Sequence, residues 1–320
     1  PDLLTSVGRT SDELARLLYR SLHTQLLTLP DATRVYPAHG AGSACGKELS
    51  TATESTIGEQ RAVNYALAPM TEDQFVEVVT EGQSTAPPYF AYASDANRRD
   101  HTVLDDQRPV PDVTIDEALE VLASGGVVLD TRAPETFALG HLRGSINVGL
   151  DGRFAEYTGD VVRHDQPIIL VTEPGQAPEA RTRLARIGFD RVEGQLADID
   201  AVLISRPDLA GHAERLTVND LVTRQARSAD LQIVDIRGPG EQAEGLVDGA
   251  IAVPLPALVA AVGDGTLDPA RPTVIYCAGG YRSSIAASTL RSLGFGSVAD
   301  LLGGIGAWEA AGQPTRLPQG

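Results

Sequence analysis

A thiol, two glycines and a guanidinium fall within six residues in Cys277-Ala-Gly-Gly-Tyr-Arg282. The apolar run Pro272-Thr-Val-Ile-Tyr276 ahead of it predicts a buried strand, and a helix is expected to begin near Ser283. A loop so placed suits a sulfur nucleophile. Gly279 and Gly280 let the backbone curl until its N–H groups face inward. The helix behind adds the positive end of its dipole, and Arg282 adds a permanent charge. Together they are expected to favour the thiolate, the reactive form of cysteine, and to hold an incoming oxyanion or a transferred sulfur. Most free cysteines are inert apolar residues; the glycines and Arg282 argue for chemistry here. The second cysteine, Cys45 in Gly42-Ser-Ala-Cys-Gly46, has no cation nearer than Lys47 and reads as a packing residue.

The elements that would position this loop occur twice, in 110–208 and in 213–313. Each copy opens on a short amphipathic helix, Val113–Leu122 and Leu216–Arg224, with a threonine N-cap and an acid three residues on. Each continues with a strand ending in an acid and an Asp-x-Arg, Asp130-Thr-Arg132 and Asp235-Ile-Arg237. Gly140-His-Leu-Arg-Gly-Ser-Ile-Asn-Val148 matches Gly245-Leu-Val-Asp-Gly-Ala-Ile-Ala-Val253. A second apolar strand follows, then a helix closing on Gly-Phe, over Ala180–Phe189 and Ile285–Phe295. Short apolar strands alternating with helices predict an α/β fold whose parallel sheet is covered on both faces.

The second copy resembles the rhodanese family, whose active-site loop runs from a Cys through four residues to an Arg between strand and helix. The likeness extends to Asp235-Ile-Arg237, Gly249-Ala-Ile and Leu302-Gly-Gly-Ile-Gly-Ala-Trp308. It implies that Cys277 takes sulfane sulfur as a persulfide. Ala278, Gly279, Gly280, Tyr281, Arg282 and Ser283 are then the substrate cradle, Asp235 and Arg237 brace the loop, and no cofactor is needed. Leu246 departs from the family's His at a position read as structural. In the first copy the matching loop is Val171-Thr-Glu-Pro-Gly-Gln-Ala-Pro178, without Cys or Arg. Glu173 sets a negative charge where an anion would sit. This copy therefore reads as a pseudo-rhodanese domain with a docking or spacer role.

Residues 1–105 belong to neither copy. A helix is expected over Ser11–Thr28 with Leu14, Leu17, Leu18, Leu22 and Leu26 on one face. Val35-Tyr-Pro-Ala-His-Gly40 reads as a strand entering a loop, and helices are expected over Ile57–Ala68 and Thr71–Thr80. His23 reads as a solvated residue and Ser94–Asp112 as a linker. The run Val35–Lys47 is similar to the late metal-ligand region of metallo-β-lactamase-fold persulfide dioxygenases, and Ser55-Thr-Ile-Gly-Glu-Gln-Arg-Ala-Val-Asn-Tyr65 fits the same family. That resemblance implies Fe(II) held in part by His39 in a full-length parent. The family's early His-x-His-x-Asp-His ligands do not occur here, so dioxygenase activity is expected only with a missing N-terminal part. The whole is expected to be the C-terminal portion of an αββα metallo-β-lactamase fold (1–105), a pseudo-rhodanese domain (110–208) and an active rhodanese domain (213–320).

At 320 residues and net charge −17, the chain has no cationic excess with which to neutralise a nucleic acid backbone or an anionic membrane. Two cysteines build no disulfide framework, and no apolar run approaches membrane-spanning length, so a cytoplasmic setting is expected. The expected partners are small sulfane sulfur donors and thiol acceptors, with a homo-oligomer open. Two readings compete with sulfurtransfer. One is a non-catalytic docking or regulatory module of a persulfide dioxygenase, which the intact Cys277 loop opposes. The other is a cysteine phosphatase or arsenate reductase, whose loops are usually one residue longer than this one.

Overall fold

The structure is a computed structural model that describes residues 8–37, 51–81, 85–96, 105 and 108–318. Contacts divide the chain into two compact units, Pro1–Ala86 and Pro87–Gly320. In the first, the expected leucine helix runs as an α-helix over Ser11–Ser21 and continues as a π-helical turn over Leu22–Leu26. Helices Ile57–Val63 and Glu72–Thr80 follow, each started by a threonine capping box. The leucine stripe is only partly buried. Ala15, Phe75 and Val79 form the core of this unit, while Leu17, Leu18 and Leu26 stay exposed. A two-residue strand, Arg34–Val35, pairs antiparallel with Ser55–Thr56.

The second unit holds both repeats. It begins with α1 (Tyr89–Ala96), whose Tyr92 ring stacks on His164 at 3.5 Å, so this helix belongs to the first repeat. The first repeat then runs α2 (Ile115–Ala123), β1 (Val127–Asp130), α3 (Pro134–Leu139), β2 (Ile146–Asn147), α4 (Phe154–Val161), β3 (Ile168–Val171), α5 (Ala177–Ala185), β4 (Val192–Gln195) and α6 (Ile199–Ser205). The second runs β5 (Glu214–Leu216), α7 (Val218–Arg227), β6 (Gln232–Asp235), α8 (Pro239–Ala243), β7 (Ile251–Ala252), α9 (Leu258–Gly263), β8 (Thr273–Tyr276), α10 (Tyr281–Ser292), β9 (Val298–Leu301) and α11 (Gly304–Ala310).

The sheets have the expected parallel topology. Strand order is β2-β1-β3-β4 in the first repeat and β7-β6-β8-β9-β5 in the second. The fifth position of the first sheet shrinks to a single bridge, Asp112 beside Gln195. Both ends of the expected Ser94–Asp112 linker are thus built into the fold: Ser94 to Ala96 finish α1, and Asp112 joins the sheet edge. Thr114 with Glu117 and Thr217 with Asp220 form the expected caps of α2 and α7.

One core runs through both repeats, from Tyr89 and Phe154 to Ile285 and Phe295. Helix α10 lies within it. Residues Ser283 to Leu290 of α10 are all buried, between its own strands β8 and β9 on one side and β2 and α4 of the first repeat on the other. A helix covered all round carries no amphipathic stripe. The Ser288 hydroxyl accepts from the Asn147 N–H at 2.9 Å, tying α10 to β2. Among the described residues no helix is long and apolar enough to cross a membrane.

Candidate active site

Strand β8 delivers Cys277 to the carboxyl edge of the second sheet. In this structure Cys277 is buried, 1% exposed, while Ala278 and Gly279 are exposed above it. The Gly280 N–H points back at the sulfur, N to Sγ 3.1 Å. The thiol lies 3.6 Å from the Ser283 hydroxyl, which itself donates to the Gly280 carbonyl at 3.0 Å. Gly280 adopts φ +100°, a left-handed conformation that favours glycine, and caps α10 directly. The helix therefore starts at Tyr281 rather than near Ser283, and Tyr281 and Arg282 form its first turn.

The loop is braced from behind. The carbonyls of Cys277 and Ala278 accept from the N–H groups of Ile305 and Gly306 at 2.8 and 3.2 Å. These two hydrogen bonds depend on close approach: a Cβ on Gly304 would overlap the Cys277 carbonyl oxygen, and Gly304 also has φ +56°. The Gly-Gly pair of Leu302-Gly-Gly-Ile was legible as a family motif, but its bearing on the Cys277 carbonyl was not.

Three side chains of the expected cradle have definite work. Tyr281 donates its hydroxyl to the carbonyls of Gly149 and Asp151, 2.7 and 3.2 Å away in the first repeat, and its ring lies 5.7 Å from that of Tyr157. It anchors the loop to the other repeat. Arg282 does not stand free. Its Nη1 and Nη2 donate to the two carboxylate oxygens of Glu241 at 2.7 and 2.6 Å. Hydrogen bonding to Glu241 raises the Arg282 pKa further, so the charge is permanent. Ser283 is fully buried and supports the loop from within.

Asp235 and Arg237 form a buried, multiply hydrogen-bonded ion pair; Arg237 also donates to the Gly245 carbonyl. Gln242 on α8 donates to the Asp235 carbonyl at 3.0 Å. Their bracing of the loop is thus indirect, through α8, which carries Glu241. The first repeat keeps the same device, with Arg132 on Asp130 at 2.7 Å and on the Gly140 carbonyl at 2.9 Å. Its His141 is buried and stacked on Phe137 at 3.8 Å, and desolvation pulls its pKa down to about 4. Leu246, equally buried, fills the matching site in the second repeat.

His39 and Cys45 lie outside the described residues. Among those described, no group of three or more His, Cys, Asp and Glu is arranged to hold a metal. The described residues therefore do not fit an iron centre.

The family model for the rhodanese-like domain matches residues 114–193 and 217–311, which is more than half the chain. The chain belongs to the rhodanese-like domain family. A sulfurtransferase of Allochromatium vinosum is 38% identical over 100 residues, covering 31% of this chain and 92% of that protein. A thiosulfate sulfurtransferase of Shewanella oneidensis is 37% identical over 98 residues, covering 31% and 94%. These relatives support sulfurtransferase activity. A mitochondrial persulfide dioxygenase of Bos taurus is 31% identical over 99 residues, 30% of this chain and 35% of that one. A crystal structure of a metallo-β-lactamase from Staphylococcus aureus superimposes with TM-score 0.50 at 27% identity, covering 57% of this chain and 49% of that one. These likenesses support a metallo-β-lactamase-type part joined to the rhodanese-like repeats, and the chain spans about half of the S. aureus chain.

Proposed function

We propose that this chain moves sulfane sulfur from thiosulfate or a low-molecular-weight persulfide to a thiol acceptor through a persulfide on Cys277. The Cys277 thiolate attacks the outer sulfur of the donor. A new S–S bond forms at Cys277, the donor's S–S bond breaks, and sulfite or a thiolate leaves with the electron pair. An acceptor thiolate then attacks the terminal sulfur and releases Cys277. No external oxidant or reductant enters the cycle.

The observation that carries this reading is the Gly280 N–H aimed at Sγ from the turn that starts α10. A donor so placed stabilises negative charge on sulfur without reorganising. Fe(II)-dependent persulfide oxidation is proposed only for a longer parent chain that supplies further ligands beside His39. The name of the bovine relative supports that coupling.

Incubation with thiosulfate is expected to add one sulfur atom to the Cys277 peptide, read by mass spectrometry and reversed by a thiol. Cys277→Ser is expected to lower turnover by about a thousandfold or more. Full transfer by that variant would refute the mechanism.

A further inference from the structure

Arg282 is the cation that an oxyanion donor would meet at the loop, yet its fork is already filled. Glu241 takes both terminal nitrogens, and its carboxylate is fixed from the far side by the Gly238 N–H at 3.0 Å. Burial alone would raise the Glu241 pKa. The hydrogen bonds from Arg282 and Gly238 outweigh that and hold it below the ordinary range. The pair sits at the rim, with side chains 21% and 39% exposed, so a solute can reach it. Arg282 also senses charge on Cys277. Another nearby acid, Asp160 on α4, is pushed up to about 8, chiefly by desolvation, and is mostly neutral at pH 7. Glu241 is then the ionised carboxylate that holds Arg282.

We infer that Glu241 is a built-in competitor for the anionic end of the sulfur donor and so sets donor preference at this site. The inference rests on sulfurtransfer through Cys277. A dianion such as thiosulfate gains Arg282 only by displacing a bidentate carboxylate, and it meets that carboxylate's repulsion on the way in. A persulfide with an uncharged tail has no sulfonate to place. It reacts at Cys277 with the Arg282–Glu241 pair intact. The site as built therefore favours such persulfides over thiosulfate.

The test compares wild type with Glu241→Gln, using thiosulfate and the persulfide of mercaptoethanol as donors. Expected is a fall of about five- to tenfold in KM for thiosulfate, from release of a part-exposed pair. kcat and the persulfide KM should move less than about twofold. An equal change for both donors, or a rise in the thiosulfate KM, overturns the inference, because Glu241 would then merely position Arg282. Glu241→Asp, which keeps the charge on a shorter side chain, is expected to fall between the two. Sulfate binding gives a second readout by calorimetry in a Cys277→Ser background. There Glu241→Gln should tighten sulfate by about the same factor, and unchanged or weaker binding counts against competition. If wild type turns over neither donor while sulfate still tightens, the transfer mechanism fails and the competition stands.

Discussion

The loops at the carboxyl ends of β3 and β8 start from the same place and end in different chemistry. Val171 lies beside Asp130 as Tyr276 lies beside Asp235. Thr172 therefore occupies the position of Cys277, Gly175 that of Gly280 and Ala177 that of Arg282. Both glycines keep a left-handed backbone, at φ +82° and +100°. The loss goes deeper than the nucleophile. Helices α6 and α11 are both entered through a left-handed residue, Asp198 and Gly303. The next residue is Gly304 in the second repeat, where the Cys277 carbonyl crowds it, and Ile199 in the first, where a full side chain is buried in the core. The second repeat has both the thiol and the close-packed glycine behind it, and the first has neither while keeping the Asp130–Arg132 frame.

The largest expected effect breaks that brace. Gly304→Ala forces a Cβ against the Cys277 carbonyl at a strained φ and should cost about 2–4 kcal/mol in chemical denaturation. Sulfurtransfer should fall more than about tenfold with it. Ile199→Val in the other repeat should cost about 1 kcal/mol and leave transfer unchanged. Equal effects of the two substitutions on turnover would erase the distinction drawn between the repeats.

A smaller effect separates His141 from Leu246. The folded pKa of His141, about 4, lies below that of the unfolded chain, so the fold favours the neutral ring. Its contribution is complete above about pH 6.5 and is lost as pH falls from there toward 4. His141→Leu should remove about 2 kcal/mol of the stability difference between pH 7.5 and pH 5, read from urea midpoints of variant and wild type. Parallel midpoint curves for the two proteins would mean that the ring is not held neutral. Tyr281→Phe should have the mildest consequence. Loss of its hydrogen bonds to Gly149 and Asp151 is worth about 1 kcal/mol, and an unshifted midpoint would show that the loop needs no anchor on the first repeat.

The duplication, the strand-loop-helix around Cys277 and the caps at Thr114 and Thr217 were legible because each rests on local sequence. The start of α10 was misjudged because left-handed Gly280 closes the loop two residues early, which carries Arg282 onto the helix. The partners of that arginine and of Tyr281 were out of reach. Glu241 is 41 residues from Arg282, and Gly149 is 132 from Tyr281. No periodicity reports contacts of that kind; the first comes from packing of α8 against α10 within the second repeat, the second from packing of the two repeats. The leucines of Ser11–Leu26 gave the helix and its apolar face but not the cover over that face. A helical stripe says which face is apolar, not whether a neighbouring layer covers it.

Enclosure of α10 on every side sets the terms on which the second repeat can exist. Excising residues 213–320 would strip β2 and α4 from a helix made largely of small and apolar residues and bare its outer face to water. Expressed by itself, such a piece would invite self-association through that face. Within the full chain the first repeat keeps that face dry.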